Sequence, residues 1–466
     1  MALFHPFSKL TLLLLLLLLL TTLLSTAVIS QPQPLLTPAE QDAVYTVLGS
    51  VNPDISWRSL FPDDLCLSAP HGVVCDFFYD NVSSPDPVAH VTEMNFGYVS
   101  DYTPNPPCSA NATLSPLLFT SFKYLRKLFF YHCFTGTRVS FPEIPKSFGS
   151  GLEELVFIDN PSLVGSLSGI IRNFTDLRRV VLTGNGIYGN IPDGVADLVN
   201  LEELTLSRNQ LGGEIPLSFS KLKKLKVLDL GYNYFSGNVP ESVGNLSELV
   251  KLDLRSNGFN GKIPESMKNL KTLELLDLSR NNFTDTGVPL FLGEMPKLKQ
   301  LDLSGNLLGG QIPEIWDKLG GILGIGFSEM GLVGEIPASM GVHLKNLRYL
   351  GLDNNKLEGT VPEELGLLES VSVINLQNNN LSGRVSFGGG KFSAKFGQNL
   401  KLAGNPNLCA DDKALILSSK TQLKVCNKTQ KPNSAPLTLD SSVQVVVLPN
   451  AVIMFGTWVL FVLIFA

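Results

Sequence analysis

The sequence predicts an α/β fold of one kind: a right-handed leucine-rich-repeat solenoid whose short strands stack into a parallel sheet on the concave side. Three observations carry this. A block reading Leu-x-x-Leu-x-Leu-x-x-Asn-x-Leu-x-Gly-x-Ile-Pro recurs about every 24 residues, and a fixed period of that length marks a repeat architecture. Its asparagines form one series: Asn160, Asn185, Asn209, Asn233, Asn257, Asn281, Asn306, Asn355, Asn379 and Asn405. The six cysteines lie toward the two ends of that series, where a stack of coils needs caps to close its apolar edges.

The elements follow in order. Residues 1–30 read as a secretory signal, with Lys9 before the leucine run Leu12 to Leu20 and the small residues Val28 and Ser30 before Gln31. Residues 31–124 form an amino-terminal cap. In it Thr37-Pro38-Ala39-Glu40 has the pattern of a capping box with proline in the first turn, predicting a helix to about Leu48. Val88 to Phe96 reads as a strand. Residues 125–405 hold about eleven coils.

The clearest coil runs from Leu201 through Asn209 to Pro216. Its segment Glu203 to Ser207 is the predicted strand, and Leu204, Leu228, Leu252 and Leu276 are the predicted stacked core. Each buried asparagine is placed to satisfy backbone groups that a tight coil would strand. The Gly-x-Ile-Pro section turns the chain to the convex side. Two coils depart from the block, with Cys133 and Met330 where asparagine is expected. A carboxyl-terminal cap follows at residues 406–426, then a stalk at 427–442 rich in Ser, Pro, Thr, Asn and Lys, and an apolar tail at 443–466.

The tail has two readings. Asn433, Ser434 and Ala435 followed by a polar spacer and an apolar stretch fit a glycolipid-anchor signal, with those three as attachment candidates; a transmembrane helix is the alternative. Both place the chain on the outer face of the plasma membrane. Asn81, Asn111, Asn173, Asn245, Asn282, Asn380 and Asn427 are N-glycosylation acceptors in such a compartment. The cysteines read as local staples, Cys66 with Cys75, Cys108 with Cys133 and Cys409 with Cys426, although sequence alone leaves connectivity open.

Net charge is −6 with no basic run to hold nucleic acid. The five histidines stand in no motif with a serine or cysteine nucleophile, so no catalytic residue, cofactor or metal is expected. Asp229, Asp253, Asp277 and Asp302 recur at one repeat position and read as solvated charges on an open sheet.

Binding is the use such a face suits. Phe129, Tyr131, Val156, Ile158 and Val181 are the outward positions of the first strands and predict an apolar patch with an aromatic centre. Arg208, Tyr232, Arg255 and Arg280 predict a basic and aromatic edge beside the aspartates. Gly324, Gly326 and Gly351 predict a flattened stretch open to close backbone approach.

The Gly213-x-Ile215-Pro216 coils and the Asn405-Pro406-x-Leu408-Cys409 ending resemble the plant leucine-rich repeats of receptor-like proteins that lack a kinase. Glu40 to Tyr45, Gly72 to Cys75 and Leu128 to Cys133 are similar to the group of Too Many Mouths and the Piriformospora indica-insensitive proteins. The resemblance implies a cell-surface protein that binds a peptide or protein ligand and signals through a partner receptor-kinase ectodomain, in development or in responses to microbes. An extracellular inhibitor or scaffold of the polygalacturonase-inhibitor type is the alternative.

Overall fold

The computed structural model describes residues 35–426 except 69, 71, 81–85, 98–105, 147, 149–150, 285–286, 388–398 and 412–420. The predicted signal segment and stalk and the apolar tail, with Asn81, Asn427, Asn433, Ser434 and Ala435, lie outside the described residues. Among the described residues no helix is long and apolar enough to cross a membrane.

Thr37 opens the first helix, α1 (Pro38–Val51), its hydroxyl accepting the Glu40 N–H at 3.3 Å. The reciprocal half of the capping box is not made. Glu40 is buried and reaches away from the helix, accepting the Val91 N–H at 3.0 Å and meeting His90 Nδ1 at 2.8 Å. His90 Nε2 lies 3.0 Å from Asp80, which also accepts the Tyr124 hydroxyl. A buried imidazole held between two carboxylates ties α1 to the sheet more strongly than a helix cap alone.

The predicted strand is present as β2 (Val88–Phe96), paired antiparallel to β1 (Val73–Phe78) and parallel to β3 (Lys127–Tyr131). These begin a sheet of 14 strands, to which each later coil adds one, from Glu154–Ile158 to Leu400–Lys401. Register is strict: Leu204 stands against Leu228, Leu228 against Leu252, and Leu252 against Leu276. All four are buried, because alternate residues of a strand face the same side and the coil closes over that side. At the amino-terminal end the core is aromatic. Phe96, Phe130 and Phe157 stack with centroids 4.6 and 4.9 Å apart.

Behind the asparagines lies a second parallel sheet of seven strands, including Gly186–Asn190, Gln210–Gly213 and Tyr234–Asn238. The repeat pattern did not disclose it, since these strands are short and glycine-rich. The Ile-Pro or Val-Pro step then leads into short 3₁₀ helices such as Leu217–Lys221 and Glu241–Asn245, with the proline extended at the cap, where it needs no N–H partner.

The asparagine ladder is built as the sequence predicts. Asn233 donates to the carbonyls of Leu206, Leu230 and Gly231 at 2.9–3.1 Å and accepts the Leu211 N–H at 3.0 Å. Cys66 is bonded to Cys75 and Cys108 to Cys133. Cys409 and Cys426 are likewise disulfide-bonded, and no described cysteine is free.

Candidate ligand-binding face

The outward positions of the large sheet form columns along the coils. One column runs Asn95, Phe129, Val156 and Val181 and continues through Thr205, Asp229, Asp253, Asp277 and Asp302 to Gly326, Gly351 and Asn375. Its amino-terminal part is less open than predicted. Tyr131 is exposed and Phe129 and Ile158 are half-buried, but Val156 and Val181 are buried. Val156 stands directly between Phe129 and Val181 at strand spacing, so the neighbouring side chains shut it from solvent. The apolar patch is therefore narrowed to the Phe129, Tyr131 and Ile158 side.

The aspartates are not the solvated charges expected. Asp229 and Asp253 are buried, and each aspartate of the column caps the backbone N–H two residues on, at Gly231, Arg255, Ser279 and Ser304, over 2.9–3.2 Å. The aspartate thus terminates its strand with a local side-chain turn. Burial and the flanking Asp229 and Asp277 push Asp253 up to about 7. Burial and Asp277 push Asp302 up to about 6. Lys251 and Arg255 offset part of this, Lys251 at 2.8 Å from Asp229 and Arg255 at 3.2 and 3.4 Å from Asp253 and Asp277. Among the described residues no group of three His, Cys, Asp or Glu side chains is arranged to hold a metal.

The basic and aromatic edge divides on inspection. Arg255 is committed inward to its two aspartates and lies 5.3 Å over the Tyr232 ring. It is held by the sheet, a cation at this position being drawn to the desolvated column, with about a third of its side chain still exposed. Arg208 is ion-paired to Asp159 yet remains about half exposed. Tyr232 and Arg280 are exposed. Arg208, Tyr232 and Arg280 share a backbone feature that sequence inspection missed. Each precedes a ladder asparagine and holds a positive φ of 54–57°. The same conformation recurs at His132, Asp159, Gly184, Ser256, Gly305, Glu329, Asn354, Asn378 and Gly404. This left-handed residue turns the chain out of the strand and leaves its side chain on the rim.

The glycine stretch is also different from expectation. A β-carbon at Gly351 would stand 2.6 Å from the Tyr349 hydroxyl and 3.1 Å from Ser328 Oγ, and Asp302 covers Gly326. Only Gly324 of the three has nothing within 4 Å. The glycines make room for neighbouring side chains of this chain. Burial, with Asp353 and Asp302 nearby, pushes the Tyr349 hydroxyl up to about 12.

The lower rim carries a second unanticipated feature, charges paired from coil to coil. Glu153, Arg178, Glu202 and Lys226 form one chain of ion pairs and Glu154, Arg179 and Glu203 another. Lys226 and Arg178 hold Glu202 down to about 2. Opposite charges spaced one repeat apart were visible in the sequence, but only the register shows that they meet.

Comparison with known proteins agrees with this architecture. A leucine rich repeat family model matches residues 175–235, 199–259 and 247–308, and another matches 346–368. Piriformospora indica-insensitive protein 2 of Arabidopsis thaliana is 36% identical over 149 residues, 32% of this chain and 33% of that protein. TOO MANY MOUTHS of Arabidopsis thaliana is 33% identical over 141 residues, 30% of this chain and 26% of that protein. The match thus spans a third or less of each relative's length. Among solved structures, the ectodomain of the receptor kinase GASSHO1/SCHENGEN3 from Arabidopsis thaliana, in complex with CASPARIAN STRIP INTEGRITY FACTOR 2, is similar with a TM-score of 0.54. It is 30% identical, over 64% of this chain and 38% of that one. The chain carries leucine rich repeats and resembles the plant receptor-like proteins of the group holding TOO MANY MOUTHS and the Piriformospora indica-insensitive proteins.

Proposed function

We propose that this chain is an extracellular receptor-like protein that takes a peptide or protein ligand on its concave face and signals through a receptor kinase at the plasma membrane. The observation that carries the reading is the 14-strand sheet with a rim of exposed Tyr131, Tyr232 and Arg280 beside it. Aromatic and arginine side chains on a rigid surface are the usual anchors of a protein contact. The similar GASSHO1/SCHENGEN3 ectodomain, solved with a bound factor, supports the reading. Attachment through the carboxyl-terminal tail, by glycolipid or by a spanning helix, and a role in development or microbe response belong to the same proposal.

The test is capture of a panel of plant receptor-kinase ectodomains by the protein displayed on cells. Tyr131→Ala, Tyr232→Ala and Arg280→Ala should each weaken capture several-fold at unchanged melting temperature. If no ectodomain is captured, or if the three variants capture as well as the parent, the placement is wrong. Binding of a fungal polygalacturonase instead would favour the inhibitor alternative. Phosphatidylinositol-specific phospholipase C separates the two tails, releasing a glycolipid-anchored protein and leaving a spanning one in place.

A further inference from the structure

The acceptor asparagines fall into two structural kinds. Asn282 and Asn380 each follow a buried ladder asparagine, Asn281 and Asn379, and both are exposed; Asn282 opens the last strand of the second sheet, Asn282–Phe283, and Asn380 lies just before the strand Ser382–Arg384. Asn245 ends the 3₁₀ helix Glu241–Asn245 on the convex side and is exposed. Its backbone carbonyl accepts the Lys223 ammonium at 3.1 Å. Asn111 is exposed in the cap. Asn173 differs from all of these. It is half-buried beyond the short helix Leu167–Ile171, and its side-chain nitrogen donates to the Ile144 carbonyl at 2.5 Å.

A sugar is attached through that same nitrogen. At Asn245, Asn282 and Asn380 the new bond extends into solvent and disturbs no packed group. At Asn173 the nitrogen lies against the Ile144 carbonyl, and although a glycosylated amide keeps one N–H, the sugar itself would have to be seated against the chain at Ile144, itself buried. The acceptor pattern is the same at all these sites; the direction of the amide is not.

We propose that the folded protein carries N-linked glycans on Asn111, Asn245, Asn282 and Asn380 and none on Asn173. The sugars then lie on the cap, on the convex side, on the last strand of the second sheet at Asn282 and at Asn380 beyond it. Among the described residues no acceptor lies on a strand of the large sheet. The rim from Tyr131 to Arg280 and the exposed Tyr188 and Tyr234 of the second sheet stay bare, and a protein partner approaches on that side. The proposal rests on the extracellular reading above.

The experiment is site mapping of the full chain secreted from, or displayed on, plant cells. Glycopeptidase release in ¹⁸O water marks each occupied asparagine by mass, and Asn→Gln variants are compared by gel mobility. Asn282→Gln and Asn380→Gln should each remove one glycan's worth of mass, and Asn173→Gln should leave mobility unchanged. Occupied Asn173 in the folded pool overturns the proposal, as does an empty Asn282 or Asn380 beside an occupied Asn245. If every site is empty, the extracellular reading falls together with this proposal. A glycan at Asn173 beside filled outer sites leaves that reading standing and removes only the partition argued here.

Discussion

The carboxylate of Asp302 lies in the space above Gly326: a β-carbon at that glycine would stand 2.5 Å from Asp302 Oδ1 and 2.9 Å from Oδ2. Oδ1 also accepts the Ser304 N–H at 2.9 Å, so the carboxylate cannot move aside without giving up its turn. Gly326→Ala is therefore expected to destabilise by about 1–3 kcal/mol through overpacking. Gly324, two residues away in the same strand, has nothing within 4 Å. Gly324→Ala should stabilise by roughly 0.5 kcal/mol by restricting the unfolded chain. Denaturant midpoints of the two variants decide it; equal shifts would show that the crowding at Gly326 is unimportant.

The aspartate column makes stability depend on pH with a definite sign. Asp253 is raised from 3.8 to about 7 and Asp302 from 3.8 to about 6, so between about pH 4 and 7 the folded chain holds protons that the unfolded chain releases. That contribution is fully present below the unfolded value and is lost as pH rises through the folded one. Glu202, lowered from 4.5 to about 2, acts oppositely and only toward acid. The melting temperature should accordingly peak near pH 4, where the two opposite slopes meet, and decline toward pH 7. Asp253→Asn should flatten the decline while keeping the strand-end turn, for Asn375 already makes that turn in the same column, accepting the Gln377 N–H at 3.4 Å. An unchanged pH profile in Asp253→Asn would place the proton elsewhere.

The left-handed residue before each ladder asparagine gives a third test. Ser256 has φ 54° and donates its N–H to the Ser279 carbonyl at 2.9 Å. Ser256→Gly should be neutral or stabilising by up to about 1 kcal/mol, since glycine meets no side-chain clash at that φ. Ser256→Val should cost about 1–2 kcal/mol, the β-branched carbon crowding the carbonyl. Thermal melts that rank valine at or above glycine would contradict the backbone assignment.

The sequence made the solenoid readable because Leu204, Leu228, Leu252 and Leu276 and their asparagines repeat at one spacing, and that spacing alone forces their register. The binding face was harder to read. Whether Val156 is covered depends on Phe129 and Val181, which lie a coil away on either side. Arg255 looks free in sequence and is held because its partners are Asp253 and Asp277. The left-handed column was hidden because Gly184, Gly305 and Gly404 share it with Arg208, Tyr232 and Glu329, side chains with no preference for that conformation, so no single residue type marks the position. His90 appeared as one of several isolated histidines; only the fold brings Glu40 and Asp80 to its two nitrogens.

The two irregular coils are repaired in the same way, each by the asparagine that follows. Asn281, a regular ladder residue, accepts one N–H, from Phe259 at 3.1 Å, and donates to the carbonyls of Leu254, Leu278 and Ser279. Asn355 makes the equivalent donations to Phe327, Leu352 and Asp353, but its oxygen accepts both Met330 and Leu332 N–H groups at 3.0 Å. Asn160 likewise accepts both Cys133 and Phe134, at 2.8 and 3.0 Å. The buried Met330 fills its space with a thioether and supplies no polar side-chain group, so the next asparagine carries the extra donor. Removing that asparagine strands one more buried N–H than removing a regular one. Asn281→Ala should cost about 2–3 kcal/mol, and Asn355→Ala and Asn160→Ala about 1 kcal/mol more. Urea midpoints of the three variants measured side by side test this. Equal losses would mean that Met330 and Cys133 are tolerated by packing alone, and a smaller loss at Asn355 would mean that its coil is already loose and gains nothing from the second acceptance.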